Sequence, residues 1–102
     1  MNMKKDFEIT KINVTVLHKI QSVNGNFLPA YSVLTRSTVY FKHNGSSWKT
    51  KIYVLIPEPI DYEYSERRYY SEQRELIAEE IWEMCSTYDE LKKYQNEMNR
   101  RF

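Results

Sequence analysis

The sequence predicts a single α+β domain, in which a three-stranded antiparallel β-meander is followed by two helices packed on one face. Two Asn-Gly pairs lie between segments rich in β-branched and aromatic residues, a pattern typical of β-hairpins. No glycine follows Gly45 and no proline follows Pro59, so helices can run through the C-terminal half. With 102 residues and 41% hydrophobic content, the chain suits one core. We therefore expect one domain over residues 1–102.

The Asn-Gly pairs determine the expected strands, which lie at about 7–20, 30–43 and 47–57. A type I′ turn requires positive φ at both central residues, which asparagine and glycine tolerate. If Asn44-Gly45 is a two-residue turn, Phe41 faces Trp48 and Thr35 faces Val54. This register links strands 2 and 3.

The sequence allows two lengths for the first hairpin. A two-residue turn at Asn24-Gly25 would pair Val14 with Thr35 across strands 1 and 2. Pro29 lacks the N–H that a ladder uses. An alternative is therefore a longer loop over about Ser22 to Pro29.

An apolar set lies on one face of the predicted sheet, because side chains alternate along a strand. A regular strand 1 would point Phe7 and Ile9 away from this face, and a bulge near Thr10-Lys11 would turn them towards it. The sequence leaves both options open. The predicted core face consists of Ile12, Val14, Val16, Val33, Val39, Phe41, Trp48, Ile52, Val54 and Ile56.

The opposite face combines basic and aromatic side chains. Such a mixture suits stacking on bases and neutralising phosphates, so it is a candidate nucleic-acid surface. The alternative is a solvated face whose lysines protect an edge strand. The candidate residues are Arg36, Tyr40, Lys42, Lys49, Lys51 and Tyr53.

A small leucine patch is expected at the other end of the same face. It contains Leu17, Leu34 and Leu55. A sheet covered by helices on one side leaves its second face open. A homodimer, or a small homo-oligomeric structural protein, could form through this patch.

Two helices are predicted, at about 66–85 and 88–101. Thr87 and Glu90 fit a capping box, in which the two side chains satisfy free amides at a helix start. The apolar stripe of the first helix is Tyr70, Ile77, Ile81, Met84 and Cys85, widened by Ala78 and Trp82, and that of the second is Leu91, Tyr94 or Gln95, Met98 and Phe102.

A tyrosine-rich charged segment, Asp61 to Tyr70, joins the sheet to the first helix. Tyrosine and arginine are enriched at protein interfaces. The alternative is that Tyr69 and Tyr70 pack on the sheet. The predicted interface residues are Tyr62, Glu63, Tyr64, Glu66, Arg67, Arg68 and Tyr69.

Charge is divided between the two halves. Residues 1–57 hold eight basic and two acidic residues, a net of +6, whereas residues 58–102 hold seven basic and twelve acidic residues, a net of −5. The total is only +1. The sheet half is thus expected to be basic and the helical half acidic.

We find no pattern for an enzyme, a cofactor or a metal site. His18, His43 and Cys85 are the main candidate groups, but their positions do not predict that they meet. A lone cysteine excludes an intramolecular disulfide and fits a reducing compartment. The chain has neither an apolar signal core nor a membrane-spanning run. We expect an intracellular, cytoplasmic protein without membrane contact.

The element order resembles several small DNA- and RNA-binding modules, and the small size and the Lys, Asn, Ile and Tyr bias resemble accessory proteins of bacteriophages from AT-rich hosts. The second resemblance implies binding and inhibition of a host nucleic-acid-handling or defence protein. The leading prediction is therefore a non-enzymatic binding protein with a protein partner. Nucleic-acid binding by the outer sheet face is the first alternative.

Overall fold

The strands and helices follow the predicted order. The computed structural model describes residues 6–23, 26–58 and 66–100, with only the backbone described for 21–23 and 26–31. The elements are β1 (Phe7–Val23), β2 (Asn26–His43), β3 (Ser46–Pro57), α1 (Glu66–Met84) and α2 (Tyr88–Asn99). One sheet has the strand order β1-β2-β3, and both pairs are antiparallel. The predicted α+β fold is confirmed.

The register between β2 and β3 is the one that Asn44-Gly45 predicts. Phe41 faces Trp48, and Thr35 faces Val54. Asn44 has φ 50° and Gly45 has φ 81°, the positive values that a type I′ turn requires. Sequence alone therefore fixed which side chains of these two strands share a face.

The register predicted between β1 and β2 is wrong by two residues along the middle of β1. Val14 faces Ser37 rather than Thr35, and Thr35 faces Val16. Irregularities between Val16 and His18 and between Ile20 and Ser22 produce the shift. A shift of two residues preserves the face of the side chains from Ile12 to Val16, so the apolar set still points one way, whereas His18, beyond the irregularity, pairs with Leu34 on the outer face.

The first hairpin closes without the longer loop. Ladder pairing continues to Ser22 with Phe27 and Val23 with Asn26. Between the pair Ile20–Ser32 and the pair Ser22–Phe27, β2 contains more residues than β1, so the pairing is irregular there. Pro29 lies in this irregular stretch of β2. A ladder that is interrupted there does not need the N–H that proline lacks.

A bulge at Thr10 determines the orientation of the start of β1. The pairing shifts between Ile9–Phe41 and Lys11–Tyr40. Phe7 and Ile9 are only 7% and 6% exposed, so they point into the core. Of the two options that the sequence left open, the bulge is the one observed.

The core lies between the sheet and the two helices, with α1 against β1 and α2 against β3. Ile52, Ile81 and Leu91 are completely buried there. The amide of Glu90 donates to Thr87 Oγ1 over 3.1 Å, so the Thr87 half of the predicted capping box is present. The two helices are further linked by Tyr94, whose hydroxyl donates to Glu80 Oε2 over 3.1 Å.

Both tryptophans differ from the core that the sequence predicts. Trp48 has the expected parity opposite Phe41, yet it is 58% exposed. Trp82 is 47% exposed, and Met84 is similarly exposed. The periodicity predicts the face to which a side chain points, but not how far the helical layer extends over that face. At this end of the sheet, the rings of Phe7 and Tyr88 contact Phe41.

The free edge of β3 is contacted by α2. Gln95 Nε2 donates to the backbone oxygen of Lys51 and to Thr50 Oγ1, both over 2.8 Å. The amide of one helix residue thus binds both a side chain and a main-chain carbonyl of the strand. This contact fixes α2 along β3.

Candidate nucleic-acid interface

The outer sheet face is the surface that the helices leave uncovered. Cross-strand pairing aligns its side chains in rows of three, one from each strand. Because directly paired residues point to the same side, the register alone defines the surface. The rows are Glu8–Lys42–Ser47, Lys11–Tyr40–Lys49, Asn13–Thr38–Lys51, Thr15–Arg36–Tyr53 and His18–Leu34–Leu55.

Tyr40 is the centre of the most basic row. Lys11 Nζ lies 5.8 Å from the centroid of the Tyr40 ring, and Lys49 is the partner of Tyr40 on the other side. An ammonium at this distance is attracted by the ring quadrupole. The half-buried ring therefore has one ammonium near its face and a second lysine at the paired position on β3.

Arg36 and Tyr53 form a second basic and aromatic pair two rows away. They face each other across β2 and β3, and both side chains are half-buried. The Nε of Arg36 is buried and has no hydrogen-bond partner within the described part of the chain. The stem of Arg36 is thus packed on the sheet.

The charge on the outer face is strongly one-sided. Glu8 is the one acidic residue in the five rows given above, and its partner is Lys42. The acidic residues of α1 and α2 belong to the layer on the opposite side of the sheet. The basic outer face and the acidic residues of the helices thus lie on opposite sides of the sheet.

All six residues of the predicted nucleic-acid face share this surface, with Lys42, Lys49 and Lys51 exposed. Sequence reasoning missed the contribution of β1, which adds Lys11, Asn13 and Thr15 to the same surface. The signal that could have found them is the alternation of polar residues from Lys11 to Thr15. Because Ile12 and Val14 are predicted to face the core, this alternation places their polar neighbours on the outer face.

The leucine patch is partly as predicted. Leu34 and Leu55 are direct partners. Leu17 is the extra residue in the irregularity between Val16 and His18, and Ser32 pairs with Ile20 instead of Leu17. All three leucines are half-buried, and the prediction of a homodimer through them stays a prediction.

The tyrosine-rich segment is described from Glu66 onward. Tyr69 packs against the core and donates its hydroxyl to the backbone oxygen of Pro57 over 2.5 Å. Arg68 Nε donates to Glu72 Oε1 over 3.2 Å, and Arg67 is exposed. Tyr62, Glu63 and Tyr64 lie outside the described residues, so the predicted protein interface stays a prediction.

Lys19 anchors the start of α1 to the sheet. Its Nζ lies 2.6 Å from Glu58 Oε1 and 3.7 Å from Glu66 Oε1. The hydrogen bond to Glu58 raises the pKa of Lys19. Glu66, which the sequence assigned to a protein interface, is thus also a structural contact.

The candidate catalytic groups are arranged for packing. His43 stacks on Tyr88, with ring centroids 4.1 Å apart and planes 6° apart, while His18 is exposed on β1. Cys85 is buried, and burial raises the pKa of its thiol to about 11. A protonated thiol is a poor nucleophile.

Across residues 6–23, 26–58 and 66–100, no group of three His, Cys, Asp or Glu side chains is arranged to hold a metal ion. In the same part of the chain, no helix is both long and apolar enough to cross a membrane.

Comparison of the chain with protein-family models, curated proteins and solved structures found no match. The functional argument therefore depends on the geometry of the surface.

Proposed function

We propose that this protein binds single-stranded nucleic acid on the outer face of its sheet. The observation that supports this function is the row Lys11–Tyr40–Lys49, which sets an aromatic ring between two cations on an open, three-stranded surface. Bases stack on such rings, and cations neutralise the phosphates that follow.

The spacing of the aromatic side chains supports a strand that runs across the face. Tyr40 and Tyr53 belong to neighbouring strands and lie two rows apart. Arg36 beside Tyr53 and the two lysines beside Tyr40 supply a cation at each ring. Two stacked bases with a neutralised backbone between them would fit this arrangement.

A single strand is favoured over a duplex because stacking on tyrosine needs unpaired bases. Within residues 6–23, 26–58 and 66–100, the face has no helix that could enter a major groove, since α1 and α2 lie on the other side of the sheet. The polar side chains between the tyrosines, Thr38 and Asn13, can bind sugar or base edges. We expect little sequence preference.

The test is fluorescence anisotropy with labelled DNA and RNA oligonucleotides of about 12 nucleotides, a length within the usual site size. Affinity should fall steeply with salt, because each neutralised phosphate releases counterions with a slope of about 0.7 per contact. Lys49→Glu with Lys51→Glu should reduce affinity at least about tenfold and lower that slope.

The matched control reverses the same number of charges on the helical side, by Lys93→Glu with Arg100→Glu. Both residues are exposed, Lys93 on α2 and Arg100 at its C-cap, so affinity should stay close to that of the unmodified protein. Tyr40→Phe should retain binding and Tyr40→Ala should weaken it, because the ring is the stacking group. Equal affinity in the Lys49, Lys51 variant would refute the proposal.

A further inference from the structure

A second surface lies on the helical side of the molecule, where β1 begins and α1 ends. A cleft of about 780 Å³ opens there between the first residues of β1 and the α1–α2 junction. Phe7, Ile9, Trp82 and Tyr88 are among the residues that line it. Among its lining residues, the cleft shares Glu8 with the outer sheet face, whereas Phe7 and Ile9 are core residues.

The aromatic wall of the cleft is built in layers. The Tyr88 ring stacks on His43 and meets Phe7 edge-on, with centroids 6.4 Å apart. These contacts hold Tyr88 in one orientation. Trp82 stands next to this group and is 47% exposed. An indole beside a fixed cluster is a common anchor in protein interfaces.

The rim of the cleft is acidic. Asp6, Glu8 and Asp89 line it, and among its described lining residues there is no lysine or arginine. Aromatic faces and carboxylates both attract cations, the former through the ring quadrupole and the latter by charge. The combination favours a positively charged ligand with an apolar stem.

We propose that this cleft binds an arginine or lysine side chain from a basic segment of a partner protein. The stem of the side chain would lie along Trp82, and its charged head would reach Asp6 and Asp89. Charge complementarity defines the occupant, because a neutral or acidic segment would leave carboxylates facing an uncharged or like-charged neighbour.

The surroundings of the cleft support the same choice. Lys92 Nζ lies 5.4 Å from the centroid of the Tyr88 ring on the side of the neighbouring cleft that Trp48 lines, so this aromatic cluster already holds one ammonium group. The carboxylates of Glu90 and Glu80 add to the effect of burial in raising the pKa of Cys85 on the cleft wall. Acidic side chains of α1 and α2 thus lie near Cys85 on the cleft wall, in addition to the carboxylates of the rim.

The experiment uses the full chain with Trp48→Phe, so that Trp82 is the only fluorescent indole. The probe is a capped peptide of alternating arginine and glycine, and the matched probe replaces arginine with citrulline, its neutral isostere. We expect saturable quenching of Trp82 by the arginine peptide, at least about tenfold weaker binding in Asp6→Asn with Asp89→Asn, and no binding of the citrulline peptide.

The control variant is Glu79→Gln with Glu97→Gln, which removes two exposed charges elsewhere on the helices and should bind as before. Equal binding of both peptides, or binding unaffected by the Asp6 and Asp89 substitutions, overturns the proposal. The proposal is also overturned if the protein alone self-associates and the Asp6 and Asp89 substitutions abolish that self-association. In that case the cleft would bind a second copy of the chain. Oligonucleotide binding, measured alongside, should not change.

Discussion

On its helix-facing side, the sheet buries Val39 and Ile52 completely, whereas on its outer side the same strands expose Lys49 and Lys51. The two faces are built from alternating residues of one set of strands. One face is apolar and covered by two helices. The other is basic, carries two tyrosines and has no layer over it in the described residues.

The difference indicates which parts of the sequence maintain the fold and which are free to serve binding. A face that was merely half of an unfinished core would be apolar, since a second layer would have to cover it. Instead, the apolar residues in the paired rows of the outer face lie at one end of it, in the row of Leu34 and Leu55 and the next row, Ile20–Ser32–Pro57. The rest of that face can change its chemistry without loss of the core.

The first prediction compares one substitution on each face and has the largest expected effect on stability. Ile52→Ala should destabilise the protein by about 2–5 kcal/mol, because it removes buried methyl groups and leaves a cavity. Lys51→Ala, one residue away on the other face, should change stability by no more than about 0.5 kcal/mol. Urea unfolding of both variants measures the difference, and similar losses would contradict the assignment of the two faces.

The second prediction concerns two hydroxyl groups within the buried face. Thr35 Oγ1 donates to the backbone oxygen of Val54 over 2.7 Å, while Ser37 Oγ is buried and has no hydrogen-bond partner among the described residues. Thr35→Val should cost about 1.5 kcal/mol, and Ser37→Ala should be close to neutral or stabilising. If Ser37→Ala lost more stability than Thr35→Val in the same unfolding assay, the hydrogen bond of Thr35 would not account for the difference between the two variants.

The third prediction addresses the helix that covers β3. Thr87→Ala removes the side chain that accepts from the amide of Glu90, and it should destabilise the protein by about 1 kcal/mol. Thr87→Ser keeps the hydroxyl and should retain most of the stability. If the serine variant lost as much as the alanine variant, the cap would not explain the effect.

The fourth prediction is a pH dependence at the covered face, which appears only in alkaline solution. The pKa of Cys85 rises from 9.0 to about 11 through burial, so the folded state keeps its proton where the unfolded state loses it. Its stabilising contribution is therefore full below about pH 9 and decreases as pH rises towards about 11. The urea midpoint should fall more steeply over this range in the unmodified protein than in Cys85→Ala.

Several features of the fold were predictable from sequence because they depend on neighbours in the chain. Asn44-Gly45 fixes a turn and hence the whole β2–β3 register, and Thr87 with Glu90 marks the start of α2. The register of β1 was not predictable in the same way. Its bulges depend on how β1 packs against β2 and α1, which local patterns do not encode.

The candidate surfaces were predictable to different degrees for the same reason. The outer face follows from parity alone, so its residues on β2 and β3 could be named in advance. The cleft near Trp82 joins the start of β1 to the end of α1, and such contacts between distant segments have no local sequence signature. The sequence therefore predicts Trp48 and Trp82 as core residues, because their exposure depends on how both helices pack.

Gln95 has a consequence for the solubility of the chain. An edge strand can template the addition of a strand from another molecule, which is the first step of many aggregation processes. By donating to the carbonyl of Lys51, the amide of Gln95 occupies an acceptor that an incoming strand would need. A single side chain of α2 thus makes β3 a poorer template for ordered fibrils.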